Sequence, residues 1–228
     1  MRNNLLLSVI IAITILSSNF LVLAKPEELQ LTIIEMRLNG RPAKPSPIPS
    51  TDDSSTNPDY GTLSYHWYTT ASYYVNGANN IGLTPSDVVT AVTISANTWD
   101  VETSNAVFSF IGSTDLKAGI RDNTNVVSFG TYKRGVIGVT YLWSSGGRLL
   151  ETDTILNTYY GWSLTGGSGK MDVQNIMTHE FGHWCGLNDL YANKDYWLTM
   201  YGYSNYGYTY ERTLGLGDIL GLQSVYGI

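Results

Sequence analysis

Residues 178–189, THEFGHWCGLND, constrain the fold of this chain more than any other segment. His179 and His183 are four residues apart, so they lie on one face of a helix and can reach a common point. Gly186 comes three residues later, where a helix can stop and the chain can turn back. Asp189 follows that glycine by three residues. The pattern predicts a helix that ends abruptly and a return of the chain that brings a carboxylate towards two imidazoles.

Two imidazoles and a carboxylate are ligands that zinc accepts in a four-coordinate site. Glu180, between the two histidines, would stand beside such a metal rather than on it, where a general base is needed. The alternative is a polar helix face with two solvated histidines. Gly186, Asp189 and the later Met200 disfavour it, because Met200 lies in the apolar turn LTMYGY and can form a floor beneath the metal.

Composition bounds the class of protein. The chain has 228 residues, 43% of them hydrophobic and 14% charged, which excludes a disordered protein and is enough for one catalytic-size domain. The formal net charge of -6, without any basic run, excludes a nucleic-acid partner. Cys185 is the single cysteine, so no intramolecular disulfide can form. We interpret it as a small packing residue.

The N-terminal part of the chain divides into two segments. Residues 1–24 have a charged start at Arg2, an apolar run and a small-residue cleavage pattern, which predict a signal peptide and a secreted, extracellular protein that leaves the membrane after cleavage. The alternative is an uncleaved membrane anchor. Residues 25–60 are predicted to be an N-terminal extension and proline-rich linker, in which residues 25–39 form either one strand or the remains of a prosegment.

The remaining residues, 61–228, are predicted to form a single α+β domain. Helical spacing and capping predict three helices, over residues 83–100 with Thr84 as cap and Pro85 at the first position, over 171–187 with Asp172 near the start, and over 214–228 with Ile219 and Leu222 inward. Residues 63–75, 106–112, 125–130, 135–143 and 148–158 are predicted strands. These elements together predict a mixed sheet with few long helices.

HEFGHWCGLND, followed by TMYGY, resembles the HExxHxxGxxH/D signature and Met-turn of the metzincin metalloproteases. Outside the motif, residues 63–227 are similar to matrixin catalytic domains. Asp189 stands where a third histidine is more usual, as in snapalysin-like enzymes of the clan. The resemblance implies a metzincin, matrixin-like fold with a twisted mixed sheet, three helices, an active-site helix and a Met-turn at Met200.

It also implies a secreted, monomeric zinc endopeptidase that acts on proteins or peptides. One catalytic zinc would be held by His179, His183 and Asp189, and Glu180 would take the proton of the zinc-bound water. In the family the substrate lies along an edge strand, for which residues 135–143 are the candidate. The predicted substrate-binding residues are Gly135, Val139 and Tyr203.

The chain departs from the family pattern at several positions, and each departure changes what the resemblance predicts. No cysteine precedes Cys185, so inhibition by a prosegment thiolate is excluded. His66 is the one histidine left over and is interpreted as a half-buried strand residue, so we expect one zinc. Calcium is a candidate second ion, with Asp115, Asp122 and Asp153 as candidate ligands. The negative charge of Asp189 should weaken zinc as a Lewis acid and shift activity to alkaline pH.

Two alternatives stay open from the sequence. The Tyr, Gly, Ser, Thr and Asn content of the surface segments also suits a secreted, zinc-stabilised binding or adhesion module without turnover. Among hydrolases, a peptidase specific for one partner protein or for cell-wall peptides is the narrower alternative. Glu180 distinguishes a peptidase from a binding module, because a peptidase needs this residue for turnover and a binding module does not.

Overall fold

The computed structural model describes residues 27–38 and 56–228. The predicted signal peptide, residues 1–24, lies outside these ranges, and so do residues 39–55 of the predicted linker. The described part is an α+β structure with three α-helices and a mostly parallel seven-stranded sheet, which confirms the predicted class and the mixed sheet. None of its helices is both long enough and apolar enough to cross a membrane.

The sheet is built from seven of the nine strands in this part of the chain. In chain order the strands are β1 (Gln30–Leu38), β2 (Ala71–Asn76), β3 (Phe108–Ser113), β4 (Asn125–Gly130), β5 (Val136–Ser145), β6 (Arg148–Asn157), β7 (Trp162–Ser163), β8 (Met171–Asp172) and β9 (Tyr203–Ser204). Their order across the sheet is β3-β2-β4-β6-β5-β1-β9, and β7 pairs with β8 separately. Strand β5 is antiparallel to both neighbours, β6 and β1, whereas the other pairs are parallel.

Three helices form where the sequence predicts them: α1 (Pro85–Asp100), α2 (Val173–Trp184) and α3 (Leu216–Tyr226). Helix α1 has Thr84 at its N-cap and a proline in its first turn, although the threonine side chain makes no capping bond. The Asp172 carboxylate caps α2 by accepting a hydrogen bond from Asn175 N at 3.0 Å. In α3, Leu222 is fully buried as predicted, whereas Ile219 is only half-buried.

Strands β3 to β6 match their predictions to within about two residues. The predicted strand over residues 63–75 is wrong in its first half, because β2 begins only at Ala71. Leu63 N instead donates to Gly186 O at 2.7 Å, and His66 N donates to Gly147 O at 3.3 Å. These bonds belong to isolated bridges, one to Leu187 past the end of α2 and one to Arg148 at the start of β6, rather than to a continuous strand.

The core between the sheet and α2 fixes how that helix is rotated. Phe181 is fully buried, with its ring 4.9 Å from that of Phe108 and 5.1 Å from that of Trp184. On α1, Trp99 Nε1 donates to Thr178 O at 2.8 Å. Because Phe181 occupies the core face, His179 and His183 must point in nearly the opposite direction.

Candidate metal centre

The three predicted ligands converge on one point. His179 Nε2 lies 3.1 Å from His183 Nε2, and Asp189 Oδ1 lies 3.2 Å and 3.5 Å from these two nitrogens. Zinc bonds of 2.0–2.2 Å in a tetrahedron separate neighbouring ligand atoms by about 3.3–3.6 Å, so the triangle is close to the size that zinc requires. Within residues 27–38 and 56–228, this is the one group of His, Cys, Asp and Glu side chains clustered closely enough to bind a metal.

Backbone carbonyls determine which histidine nitrogens face the centre. His179 Nδ1 is 2.7 Å from Thr199 O, and His183 Nδ1 is 3.0 Å from Leu187 O. A carbonyl oxygen only accepts, so each Nδ1 carries the proton and each Nε2 turns a lone pair inward. Asp189 Oδ1 has no hydrogen-bond partner. Three acceptors that face one another without a donor fit a bound cation.

Charges at the centre lead to the same conclusion. Burial would raise the pKa of Asp189, but His183 and His179 outweigh it and hold that pKa well below its usual range. Burial would lower the pKa of His183, yet Asp189 raises it above the usual value. Both pKa shifts show that a positive charge between the ligand atoms is favourable. Either a proton or a metal ion can supply it.

A tight turn brings Asp189 to the histidines. Gly186 has φ of +85°, and a Cβ there would lie 2.9 Å from Tyr65 O, so only glycine fits this position without strain. Leu187 N donates to Gly182 O at 2.9 Å and closes the end of α2. Tyr191 OH then donates to Asp189 Oδ2 at 2.8 Å, which leaves Oδ1 directed at the histidines. Apart from its nearness to Asp189, nothing in the sequence indicates a role for Tyr191.

Met200, the predicted floor of the site, lies against α2. It is 2% exposed and contacts Gly182, the residue before His183. Its turn is anchored by Asp218 of α3, whose carboxylate accepts from Thr199 N at 2.8 Å and Met200 N at 3.1 Å. Because Thr199 O holds His179, Asp218 positions a ligand through the turn. Sequence reasoning missed Asp218, since nothing in its local pattern separates it from a helix-capping residue.

Glu180 is fully buried beside the ligands. Its Oε2 accepts a hydrogen bond from Thr140 Oγ1 of β5 at 2.6 Å, and its Oε1 has no partner. Gly138 leaves room for this carboxylate, because a Cβ there would overlap Glu180 Oε1. Burial raises the pKa of Glu180, although both histidines oppose the shift. A carboxylate with one fixed oxygen and one free oxygen is suited to exchanging a proton.

Of the predicted substrate-binding residues, only Tyr203 lies in the groove beside Asp189. Tyr203, Asp189 and residues of β1 line a groove of about 490 Å³. Residues 135–143 were predicted to be an edge strand, and this is wrong, because β1 pairs with β5 along its length. Val139 is fully buried opposite Glu35, and Gly135 O accepts from Leu38 N at 2.9 Å.

The calcium candidates are not brought together in the described part of the chain. Both carboxylate oxygens of Asp153 accept backbone N–H groups, from Val126 at 2.8 Å and from Gly119 at 2.6 Å. Asp122 Oδ1 accepts from Thr124 N at 3.0 Å, and Asp115 is exposed.

The remaining predicted residues have ordinary environments. His66 is half-buried, as predicted, with its ring stacked on Tyr68 at 4.6 Å, although it lies in an isolated bridge rather than in a strand. Cys185 is fully buried in the core, and burial raises the pKa of its thiol. Its interpretation as a packing residue is confirmed.

A scan against protein-family models found no match, and a search of the curated proteins also found no similar protein. The geometry of the centre therefore carries the functional conclusion.

Proposed function

We propose that this chain is a zinc-dependent endopeptidase with a metzincin, matrixin-like catalytic domain. One observation carries the proposal: three buried acceptor atoms of His179, His183 and Asp189 form a triangle of 3.1–3.5 Å beside the free carboxylate oxygen of Glu180. A buried carboxylate without a partner is costly in a site that only binds metal, whereas a general base must keep one oxygen free.

The ligand types favour zinc over calcium or magnesium. Two imidazole nitrogens and one carboxylate oxygen suit a zinc ion, while the harder cations prefer sites made of oxygen alone. Three protein ligands also leave a fourth position, as in catalytic zinc sites. When bound, zinc supplies Lewis acidity and lowers the pKa of a water molecule.

The residues of the chain supply the proton transfers. Glu180 Oε1 takes a proton from the attacking water and then delivers it to the amine nitrogen of the leaving group. Thr140 holds Oε2, so the carboxylate does not need to reorient between the two transfers. The second ring nitrogens of His179 and His183 keep their protons on backbone carbonyls throughout.

The remaining parts of the proposal concern substrate and location. Substrates are proteins or peptides bound in an extended form in the groove that Asp189 and Tyr203 line. Secretion through residues 1–24 would place a monomeric enzyme outside the cell, where unfolded or flexible proteins are available.

The test compares hydrolysis of an unfolded protein by the wild type and by Glu180→Gln, with bound zinc counted in both. Each protein is assayed intact and after cleavage at a site-specific protease site inserted within residues 39–55, because β1 lies beside the centre. We expect the wild type to cleave with one zinc bound and a chelator to stop it. The Gln variant should keep its zinc and lose activity by at least a hundredfold.

Glu102→Gln is the matched control, since this glutamate lies past the end of α1, away from the ligands. It should leave hydrolysis unchanged. If neither the wild type nor Glu180→Gln cleaves in any form while both bind zinc, a general endopeptidase is contradicted, and a zinc-stabilised binding module or a peptidase specific for one partner takes its place.

A further inference from the structure

An aromatic groove of about 500 Å³ is formed by the segments that precede and follow the Met200 turn. A glycine, a threonine and five aromatic residues line it, and the aromatic residues are Tyr196, Trp197, Tyr206, Tyr208 and Tyr210. None of the described lining residues is charged, and none also lines the groove beside Asp189. The aromatic groove is therefore a separate surface, which the proposed peptidase function does not use.

The rings of the aromatic groove hold one another in place. The centroid of the Trp197 ring lies 4.9 Å from that of Tyr196 and 5.2 Å from that of Tyr210. Tyr196 OH donates to Tyr208 OH at 3.0 Å, so the hydrogen of Tyr208 OH is available to a different acceptor. Trp197 is half-buried and Tyr206 is 40% exposed, so both rings can contact a ligand. The surface is preformed and apolar, and it offers a phenol as donor.

These properties favour a proline-rich peptide as the ligand. Aromatic-lined grooves bind polyproline helices, whose backbone is already ordered before binding and therefore loses little entropy. A polyproline helix has no internal hydrogen bonds, so its carbonyl oxygens can accept from phenol hydroxyls. A charged peptide would lose its hydration in a groove that offers no opposite charge.

The chain itself carries a segment of this kind. Residues 41–50, RPAKPSPIPS, contain four of its seven prolines. Three residues make one turn of a polyproline helix, so Pro42, Pro45 and Ile48 would share one side of it. These three residues, called the apolar side below, match the apolar rings of the groove. Lys44 would lie on another side, where its charge can stay in water.

The chain enters and leaves this segment beside the aromatic groove. Residues 39–55 lie outside the described residues, but the residues on either side of them are described. Leu38 pairs with Ser204, two residues before the three tyrosines that line one part of the groove. Asn57 Nδ2 donates to Asp195 Oδ1 at 3.0 Å, directly before the Tyr-Trp pair that lines another part. The groove is thus adjacent to both ends of the proline-rich segment.

We propose that residues 42–49 bind in the aromatic groove as a polyproline helix, with the apolar side against the rings. The residues before and after them connect the bound segment to Leu38 and Asn57. Tethering gives the segment an effective concentration of about a millimolar, so weak intrinsic binding is enough to fill the groove. This inference goes beyond the proposed function and does not depend on it.

The test measures whether a labelled synthetic peptide of residues 40–50 enters the groove of the full chain. In the wild type the tethered segment competes with the peptide at about a millimolar. The triple variant Pro42→Ser, Pro45→Ser and Ile48→Ser removes the apolar side and should vacate the groove. By fluorescence anisotropy, we expect the peptide to bind this variant at least tenfold more tightly than it binds the wild type.

The double variant Pro47→Ser and Pro49→Ser is the matched control. It removes as many prolines as the triple variant does, but it leaves the apolar side intact. The double variant should therefore exclude the peptide as the wild type does.

Substitutions in the groove locate the bound peptide. Added to the triple variant, Trp197→Ala should weaken peptide binding at least tenfold, because it removes a ring that the apolar side contacts. Tyr68→Ala, at an exposed ring outside the groove, should leave binding unchanged. If circular dichroism shows that Trp197→Ala does not fold, Tyr206→Ala makes the same test at a more exposed ring.

Four results overturn the inference. Equal peptide binding by the wild type and the triple variant means that the tethered segment does not occupy the groove. Absence of binding to both means that the groove does not accept a proline-rich peptide. Binding that survives the loss of the groove rings places the peptide elsewhere. A wild type that dimerises on size exclusion while the triple variant stays monomeric assigns the groove to the segment of a second copy.

Discussion

Thr140 donates its hydroxyl to Glu180 Oε2 at 2.6 Å, and both residues are fully buried. The direction of the adjoining hydrogen bonds follows from this contact. Thr140 Oγ1 lies 2.6 Å from Thr154 Oγ1, which accepts from Trp184 Nε1 at 2.9 Å. Because an indole N–H only donates and a carboxylate only accepts, each hydroxyl donates towards Glu180. The core thereby fixes one oxygen of the proposed general base.

We expect Thr140→Val to lower kcat/KM by about ten- to a hundredfold while zinc content stays at one. The variant leaves Glu180 Oε2 and Thr154 without their partner, so the free energy of unfolding should also fall by about 1–3 kcal/mol. Hydrolysis of an unfolded protein, zinc analysis and urea denaturation are the measurements.

Thr152→Val is the matched control. Thr152 is a buried threonine of β6, two residues before Thr154, and its hydroxyl has no hydrogen-bond partner. Its replacement should leave hydrolysis unchanged and stability equal or higher. If Thr140→Val and Thr152→Val behave alike, the hydrogen bond to Glu180 has no role in turnover.

Tyr191→Phe tests how Asp189 is held. The phenol holds Asp189 Oδ2, so its loss frees the carboxylate to turn away from the histidines. Zinc affinity, measured by competition with a chelator, should fall by about tenfold. Tyr68→Phe is the control, because Tyr68 is 56% exposed, as Tyr191 is, and lies outside the ligand set. Equal affinities in the two variants would show that the turn alone positions Asp189.

The sequence predicted the parts of the centre that short segments determine. His179, Glu180 and His183 follow from helical spacing, and Asp189 follows from the turn at Gly186. Thr140 was not predicted, because it is 40 residues from Glu180 and only the placement of β5 against α2 joins them.

The pairing of β1 with β5 was missed for a related reason. The apolar alternation of β1 is visible in the sequence, but its partner is set by sheet order, which a local pattern does not contain. The same limit applies to Asp218, whose contact with the Met200 turn depends on how α3 docks.

Gly138→Ala should disable turnover without removing the metal. The added methyl group would overlap Glu180 Oε1, the oxygen proposed to take the proton, and the three atoms nearest to it belong to Glu180 and Ile176 rather than to a ligand. We expect one bound zinc and at least a tenfold loss of kcat. Gly161→Ala is the control, since a Cβ there meets only Lys170 Cγ at 3.6 Å. Full activity of Gly138→Ala would contradict the assignment of Oε1.

Asp153 and Glu151 of β6 hold the segment between β3 and β4 through its backbone. Asp153 accepts hydrogen bonds from Gly119 N and Val126 N, and Glu151 accepts from Asp122 N at 2.8 Å. Burial nevertheless raises the pKa of Asp153 from 3.8 to about 7, because desolvation outweighs these bonds. The protonated form is therefore favoured in the folded state.

This shift gives stability a defined pH dependence. The folded state binds the Asp153 proton more tightly than the unfolded state, so the resulting stabilisation is complete below about pH 4 and is lost as pH rises through 7. The difference in free energy of unfolding between the wild type and Asp153→Asn should fall across this range, by at most about 1.4 kcal/mol per pH unit. Urea denaturation at several pH values measures it, and a difference that stays constant or grows with pH would mean that the backbone N–H groups keep Asp153 ionised.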